Sequence, residues 1–343
     1  MEIRAVDAPG DAHWDAYVRS HPDGTLFHEA AWTKSVMEAY RHQPLLLAAW
    51  RGSKIVGVLP LFLVKSWIFG NRFVSSAFSV YGGILADDPV VALALATAAR
   101  DAAKDRGAKY VELRSRRILF SNEPVKDLYW TFRIPVQPTV DATLAKLSKK
   151  MRQDLRRSEN KNFRFEEKDV PLKAFYELYL KTLQWHGTPP FPLRWFEALQ
   201  RNLGDRCIVL AGYEPDGGQR VGASMMFRDR DSLLPYYSGV PREFYKLRAT
   251  VAMHAKMLRM TVEGGAKFLD LGRSKAGTGA YDAKTHWGVD PEPLGYQYLL
   301  PEGAAVPDLS PANPKFQPLI AVWKRLPLAA TRVLGPPLNA SLA

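Results

Sequence analysis

The chain has 343 residues, of which 47% are hydrophobic and 24% charged, a composition that supports a buried core and about two domains of ordinary size. No apolar run approaches the roughly 18 residues of a membrane-spanning helix, no secretory leader is expected of MEIRAVDAPGDAHWD, and the single Cys207 excludes an internal disulfide and any cysteine-based metal cluster. The net charge of +12 and pI of about 9.6 fit either attraction to phosphates (tRNA, nucleotide, coenzyme A, an anionic membrane face) or a plain solvated basic surface.

The first clear element is LLLAAWRGSKIVGVLPLFLV at 45–64, two apolar runs around a polar RGSK turn, which predicts a β-hairpin. A helical pattern running into a strand follows in VVALALATAARDAAKDRGAKYVELR at 90–114. Both units recur. IVLAGYEPDGGQRVGASMMF at 208–227 is a second hairpin, and LRATVAMHAKMLRMTVEGGAKFLDLG at 247–272 is a second helix and strand. The second hairpin strands both begin with Val-Gly (Val56-Gly57, Val221-Gly222), and GAKYVELR aligns with GAKFLDLG residue for residue. Each helix ends at a glycine able to take the left-handed C-cap conformation. The chain therefore reads as two α/β domains of one type, 1–138 and 139–300, followed by a Pro/Leu-rich extension, 301–343.

Between the copies, Leu144, Leu147, Met151 and Leu155 form one apolar helical stripe, with Asp141 or Thr143 as its cap. Lys149, Lys150, Arg152, Arg156 and Arg157 lie on the other side, as a solvated face or a phosphate-facing one. In the extension, Pro327 splits any helix into short pieces.

The stretch DLGRSKAGTGAYDAKTHWG at 270–288 carries the densest chemistry. It fails as a P-loop, because Thr278 stands where the phosphate-binding lysine must be, and as a dinucleotide fingerprint, because Asp282 replaces the third glycine. HExxH, CxxC and G-x-S-x-G are absent, and the seven histidines show no ligand spacing, so no metal is expected. The segment GAYDAKTHWG predicts a short helix with Tyr281 and Lys284 on one face. There the lysine could stabilise an oxyanion and the tyrosine relay a proton. Equally, this is a surface loop whose lysine stem packs on Trp287.

The pattern of a strand ending D-[FL]-G-R, a glycine turn and Y-x-x-K-x-x-W-G is carried by Asp270, Gly272, Arg273, Gly277, Gly279, Tyr281, Lys284, Trp287 and Gly288. It resembles the FemAB-like branch of the GNAT acyltransferase superfamily, and within it the proteins of exosortase (PEP-CTERM) exopolysaccharide systems. TLFHEAAW at 25–32, the basic helix at 148–163 and WHGTPPF at 185–191 fit the same likeness. The resemblance implies an α/β fold of two tandem GNAT-like (acyl-CoA N-acyltransferase-type) domains with mixed central sheets. It further implies transfer of an amino acid or acyl group from a carrier, aminoacyl-tRNA above all, to an amine acceptor in cell-envelope or exopolysaccharide synthesis. No tightly bound cofactor is implied, and the address would be cytoplasmic, extending to the inner membrane face.

On this resemblance Lys284 stabilises the oxyanion, Tyr281 orients the donor or acts as acid, and Asp270 or Asp282 is the base, unless either pairs with Arg273. Arg273, Gly277, Gly279, Trp287 and Trp32 line the substrate groove. Tyr236 and Tyr237 admit the donor or fill the core; His186 and Thr188 touch the acceptor or form a rigid turn; Lys150, Arg152 and Arg156 bind donor phosphates. Two departures from the family pattern stand out: the inserted helical hairpin that helps some members hold tRNA is not visible, so tRNA use is implied by kinship alone, and the loop that would hold coenzyme A is missing from both copies. The loop before the central helix reads VPREFYKLRAT in the second copy, without glycine, and YGGILADD in the first, where Asp87 and Asp88 oppose a pyrophosphate. An acyl-CoA-dependent N-acyltransferase of an amino sugar and a non-catalytic basic protein binding RNA or polysaccharide are the alternatives.

Overall fold

The computed structural model describes residues 1–6, 11–40, 42–66, 69–216, 218–307 and 316–342. The first half runs β1 (Glu2–Val6), α1 (Ala12–Ser20), α2 (Ala30–Tyr40), the hairpin β2 (Pro44–Arg51) and β3 (Lys54–Val64), then β4 (Arg72–Ser75), β5 (Leu85–Ala86), α3 (Pro89–Asp105), β6 (Val111–Ser115) and β7 (Tyr129–Pro135). The second runs α4 (Val140–Lys146), α5 (Lys149–Glu159), β8 (Arg164–Glu166), α6 (Leu172–His186), α7 (Leu193–Leu203), the hairpin β9 (Cys207–Tyr213) and β10 (Arg220–Asp229), then β11 (Ser232–Gly239), α8 (Ala249–Glu263), β12 (Phe268–Lys275), α9 (Gly279–Thr285), β13 (Glu292–Pro293) and β14 (Gly295–Leu299). The extension forms α10 (Gln317–Trp323) and α11 (Leu328–Ala340). Both expected hairpins and both helix–strand units are present.

The two sheets repeat one another. The first has the order β1-β2-β3-β4-β6-β14, with β5 on β3, and the second β8-β9-β10-β11-β12-β7-β13. In each, one neighbouring pair is parallel, β4 with β6 and β11 with β12, and the rest are antiparallel. Each parallel pair holds for two residues only: Phe73 with Val111 and Val74 with Glu112; Ser232 with Phe268 and Leu233 with Leu269. Beyond that, β11 and β12 part. The strand beyond β6 or β12 is exchanged: β7 precedes residue 138 but lies beside β12, and β14 closes the first sheet beside β6.

The repeated Val-Gly has a packing cause. A methyl at Gly57 would stand 2.5 Å from Val91 of α3, and one at Gly222 would stand 3.0 Å from Val240 and 3.5 Å from Met253 of α8. At Gly57 the missing methyl lets α3 lie close on its hairpin, whereas at Gly222 it makes room for Val240 just past β11, with α8 at ordinary contact distance. One large core, including Phe27, Trp32, Phe62, Tyr81, Phe196, Phe227 and Tyr237, draws on both halves. A second lies between the other face of the second sheet and α5 and α8, around Leu155, Met226, Met253, Leu269 and Trp287. The extension straps the halves together. Tyr40 donates to Asn339 at 2.7 Å, Asn339 to the Pro189 carbonyl at 3.2 Å, and Arg72 to the Ser341 carbonyl at 2.9 Å.

One expectation changes. The stripe from Leu144 to Leu155 is not one helix but α4 and α5, broken at Leu147 and Ser148, and α4 is capped by Thr139 rather than Asp141 or Thr143. Ser148 explains the break: its hydroxyl accepts from Met151 N at 3.1 Å and donates to the His286 carbonyl at 2.5 Å, while its N–H donates to the Trp287 carbonyl. Capping α5 and tethering the end of α9 together outweigh continuation of α4.

Candidate active site

β12 breaks its register with β7 between Asp270 and Arg273, with Gly272 at φ +65, a left-handed conformation that glycine adopts without steric cost. The bulge aims three successive carbonyls at one point. Lys284 fills it: Nζ donates to the carbonyls of Leu271 at 2.6 Å, Gly272 at 3.0 Å and Arg273 at 3.2 Å. This half-buried ammonium therefore sits against the stretch of β12 from which β11 has parted. Burial, with Arg273 adding and Asp270 opposing, brings its pKa down to about 8. Thr278 caps α9, and Tyr281 packs edge-on against Phe132 at 5.2 Å on the same side as Lys284.

Asp270, on the opposite face of β12, is 2% exposed. Tyr81 donates to both its oxygens at 3.1 Å and the Gly272 N–H to one at 2.8 Å, while Arg116 and Arg133 stand at 3.6 and 3.7 Å. Tyr81 also hydrogen-bonds Thr131, and Arg116 covers the Tyr81 ring at 4.5 Å. The expected partner of Asp270, Arg273, is elsewhere. Its guanidinium lies 4.5 Å over Tyr129 and donates to the Tyr296 hydroxyl at 3.3 Å.

The other expected residues divide. α5 runs alongside α8 in the same direction, since Asp154 pairs with Arg248 at the start of α8 and Glu159 with Arg259 further along. Its Lys150 and Arg156 are exposed, its start meets the end of α9 where Ser148 donates to the His286 carbonyl, and Arg152 turns back to the Ala145 carbonyl at 3.2 Å. Asp282 is exposed, away from the bulge, and its carbonyl rather than its carboxylate accepts from Thr285. Trp287 is 1% exposed and packs on His254 of α8. Gly277 (φ +72) makes the turn before α9, and Gly279 starts the helix. Trp32, Tyr236 and Tyr237 belong to the shared aromatic core: Trp32 donates to the Ala77 carbonyl at 3.0 Å, Tyr236 to the Phe78 carbonyl at 3.0 Å, and Tyr237 accepts from Trp195 at 2.9 Å. His186 ends α6, and the loop with Thr188 abuts the extension, where a methyl on Gly187 would lie 2.6 Å from Ile320.

Sequence reasoning passed over Tyr81, Thr131, Arg116, Arg133 and Asp229. A signal existed for one of them: in the repeat alignment, RSRR at 114–117 occupies the place of GRSK at 272–275, so the chemistry-bearing run after the strand is doubled.

Asp229, at the end of β10, accepts from the Leu26 N–H at 3.1 Å. Burial, with Glu29 adding, pushes its pKa from 3.8 up to about 6, against the Leu26 bond and the nearby Arg230 and Arg206. The folded state thus holds this proton more tightly than the unfolded chain, and the stability it contributes is lost as pH rises through about 6. The ionised form then costs about 3 kcal/mol by order of magnitude. Asp229→Asn, which keeps the acceptor, is expected to remove the fall in thermal midpoint between about pH 4 and 6; a wild-type fall in the variant would contradict this.

Residues 145–285 match the family model described as Acetyltransferase (GNAT) domain. No curated protein sequence matches the chain. Among solved structures, FemX is similar at TM-score 0.67 and 15% identity, over 88% of this chain and 98% of that one. L-PGS from Bacillus licheniformis is similar at TM-score 0.54 and 14% identity (96% and 98%), and a tandem GNAT protein from the clavulanic acid biosynthesis pathway at 0.54 and 12% (89% and 99%). At these identities the likeness is one of fold: two tandem GNAT-like units with mixed sheets. Among the described residues, no helix is long and apolar enough to cross a membrane.

Proposed function

We propose that this protein is an acyltransferase of the aminoacyl-transfer type, moving an amino acid or acyl group from aminoacyl-tRNA to an amine acceptor in cell-envelope or exopolysaccharide synthesis. The observation that carries the reading is Lys284, a desolvated cation held against the parted stretch of β12. The acceptor nitrogen attacks the ester carbonyl and the C–N bond forms. The carbonyl electron pair moves to oxygen, and its return expels the carrier hydroxyl and leaves an amide. Lys284 stabilises the oxyanion, exchanging its longest contact, to the Arg273 carbonyl, for the new anion. The amine proton passes through Asp270, and Tyr281 orients the donor. Asp270 rather than the exposed Asp282 is taken as the base because it lies at the bulge beside Gly272.

The helix termini support a phosphate-bearing donor in the second unit. The N-terminus of α3 is filled by Asp88, which accepts from the Val91 N–H at 3.0 Å, whereas α8 begins at Arg248 without a side-chain cap, beside the exposed Arg242 and Lys246. Uncapped N–H groups with the helix dipole favour an anion, and Lys150, Arg152 and Arg156 of the parallel α5 add positive charge. An acyl-CoA ester shares this phosphate chemistry and is the second reading; a raised thermal midpoint with acetyl-CoA, unchanged by tRNA, would favour it.

The test is single-turnover transfer of label from aminoacyl-tRNA into an amide over a pH series. Because the Lys284 ammonium is lost above about pH 8, the transfer rate is expected to fall there. A rate that goes on rising beyond pH 9, as the acceptor amine alone dictates, would contradict this role for Lys284.

A further inference from the structure

A cavity of about 570 Å³ lies between the two halves, on the face of β12 opposite Lys284. Its lining on the two central strands reaches Leu234 and Asp270, one residue past the last paired positions, so it abuts the point where β11 and β12 part. The volume suits a sugar-sized molecule.

Its cations are poorly satisfied. Arg230 is engaged structurally, donating to the carbonyls of Val18, Arg19, His21 and Pro22. Arg116, Arg117 and Arg133 are different. Arg116 and Arg133 share the single carboxylate of Asp270 at 3.6 and 3.7 Å, Arg133 meets Asp231 only at 3.8 Å, donates to the Ser232 hydroxyl at a long 3.4 Å and lies over the Phe268 ring, and Arg117 meets Asp23 at 3.6 Å. The ion pairs are loose, outside charge-assisted hydrogen-bond range. Moreover, the Nε–H groups of Arg116 and Arg133 are buried and have no hydrogen-bond partner among the described residues. A buried donor left unpaired is costly, so neither guanidinium is fully satisfied by the protein; both line one cavity wall, where their terminal N–H groups suit the oxygens of a tetrahedral anion, which arginine binds through paired donors. The carboxylates of Asp231 and Asp270 line the same cavity and suit an ammonium.

We infer that this cavity is the acceptor site and that it takes a small molecule bearing both a phosphate and a primary amine. The phosphate lies on Arg116, Arg117 and Arg133, and the amine is directed to Asp270 at the opening between β11 and β12. The acceptor role rests on the transfer reading above; the phosphate-and-amine site does not.

Binding is measured by calorimetry in the absence of any donor, with glucosamine 6-phosphate, glucose 6-phosphate and glucosamine as probes. The expected order is glucosamine 6-phosphate tightest, glucose 6-phosphate weaker and glucosamine undetectable. Arg133→Gln is expected to weaken the first by roughly tenfold or more. Arg117→Gln, at a side chain 79% exposed and so tolerant of replacement, is expected to weaken it severalfold. No binding of either phosphate, or equal affinity in wild type and both variants, overturns the site; equal affinity for the two phosphates overturns the amine half. Binding as expected with no transfer from aminoacyl-tRNA would leave the site standing and defeat the transfer reading instead.

Discussion

Lys284→Met is expected to lower transfer by about a hundredfold or more, the usual effect of removing one oxyanion donor, while the thermal midpoint falls by only a few degrees. Two effects of opposite sign set the second figure. The variant orphans three carbonyls at the bulge, each worth roughly 1–3 kcal/mol if left dry. It also removes a cation whose burial cost is recorded in its lowered pKa. Because the site is half-buried, water can reach part of the vacated space, and a net loss of about 1–2 kcal/mol remains, a few degrees for a chain of this size. The same pKa fixes a pH signature. The unfolded chain binds the Lys284 proton more tightly than the folded one, so wild-type stability rises between about pH 8 and 10.5 relative to the variant. Wild-type transfer by Lys284→Met would sink the mechanism, and a parallel stability profile across that pH range would show that the ammonium is not buried as described.

Asp270→Ala has the larger expected effect on the fold. The carboxylate is the common partner of Tyr81, the Gly272 N–H, Arg116 and Arg133. Removing one member of a buried charge network costs about 3–5 kcal/mol, because the charges left behind are uncompensated. The midpoint is therefore expected to fall by roughly 5 °C, with transfer lost as well. Asp270→Asn, which retains an acceptor for the Tyr81 hydroxyl, is expected to recover part of the stability and none of the transfer. A midpoint within about a degree of wild type for the alanine variant would mean that the cluster does not hold the halves together.

The parts of the fold legible in the sequence are local. The hairpins at 44–64 and 207–229 follow from paired apolar runs around polar turns, and α3 and α8 from helical periodicity ended by Gly107 and Gly265, both at positive φ. The repeat could be read because both hairpins keep a glycine early in the second strand, Gly57 packed tightly under α3 and Gly222 beside Val240. What stayed hidden is long-range. Nothing in YWTFRIP says that β7 pairs with a strand 130 or more residues later rather than with β6, since either sheet offers an antiparallel neighbour of suitable register. The helix break at Ser148 depends on carbonyls of His286 and Trp287.

The site divides the same way. Lys284 and Tyr281 share a face of α9 because three-residue spacing puts them there, and the aromatic positions Trp32, Tyr236 and Tyr237 were readable as core or groove alike. Their buried hydrogen bonds to Ala77, Phe78 and Trp195 place them in the shared core. Arg116, Arg133 and Tyr81 had no local mark. Each is brought to the site beside Asp270, which lies at least 137 positions away.

The central claim, that this chain reads an aminoacyl ester, is tested most directly by binding of the purified protein to a pool of aminoacylated tRNA and to the same pool deacylated, at two salt concentrations. The account predicts preference for the charged pool that survives the higher salt, because the ester is recognised at the Lys284 site and not by net charge. Equal binding of both pools that collapses as salt rises would show the +12 charge alone at work, and would contradict the assignment.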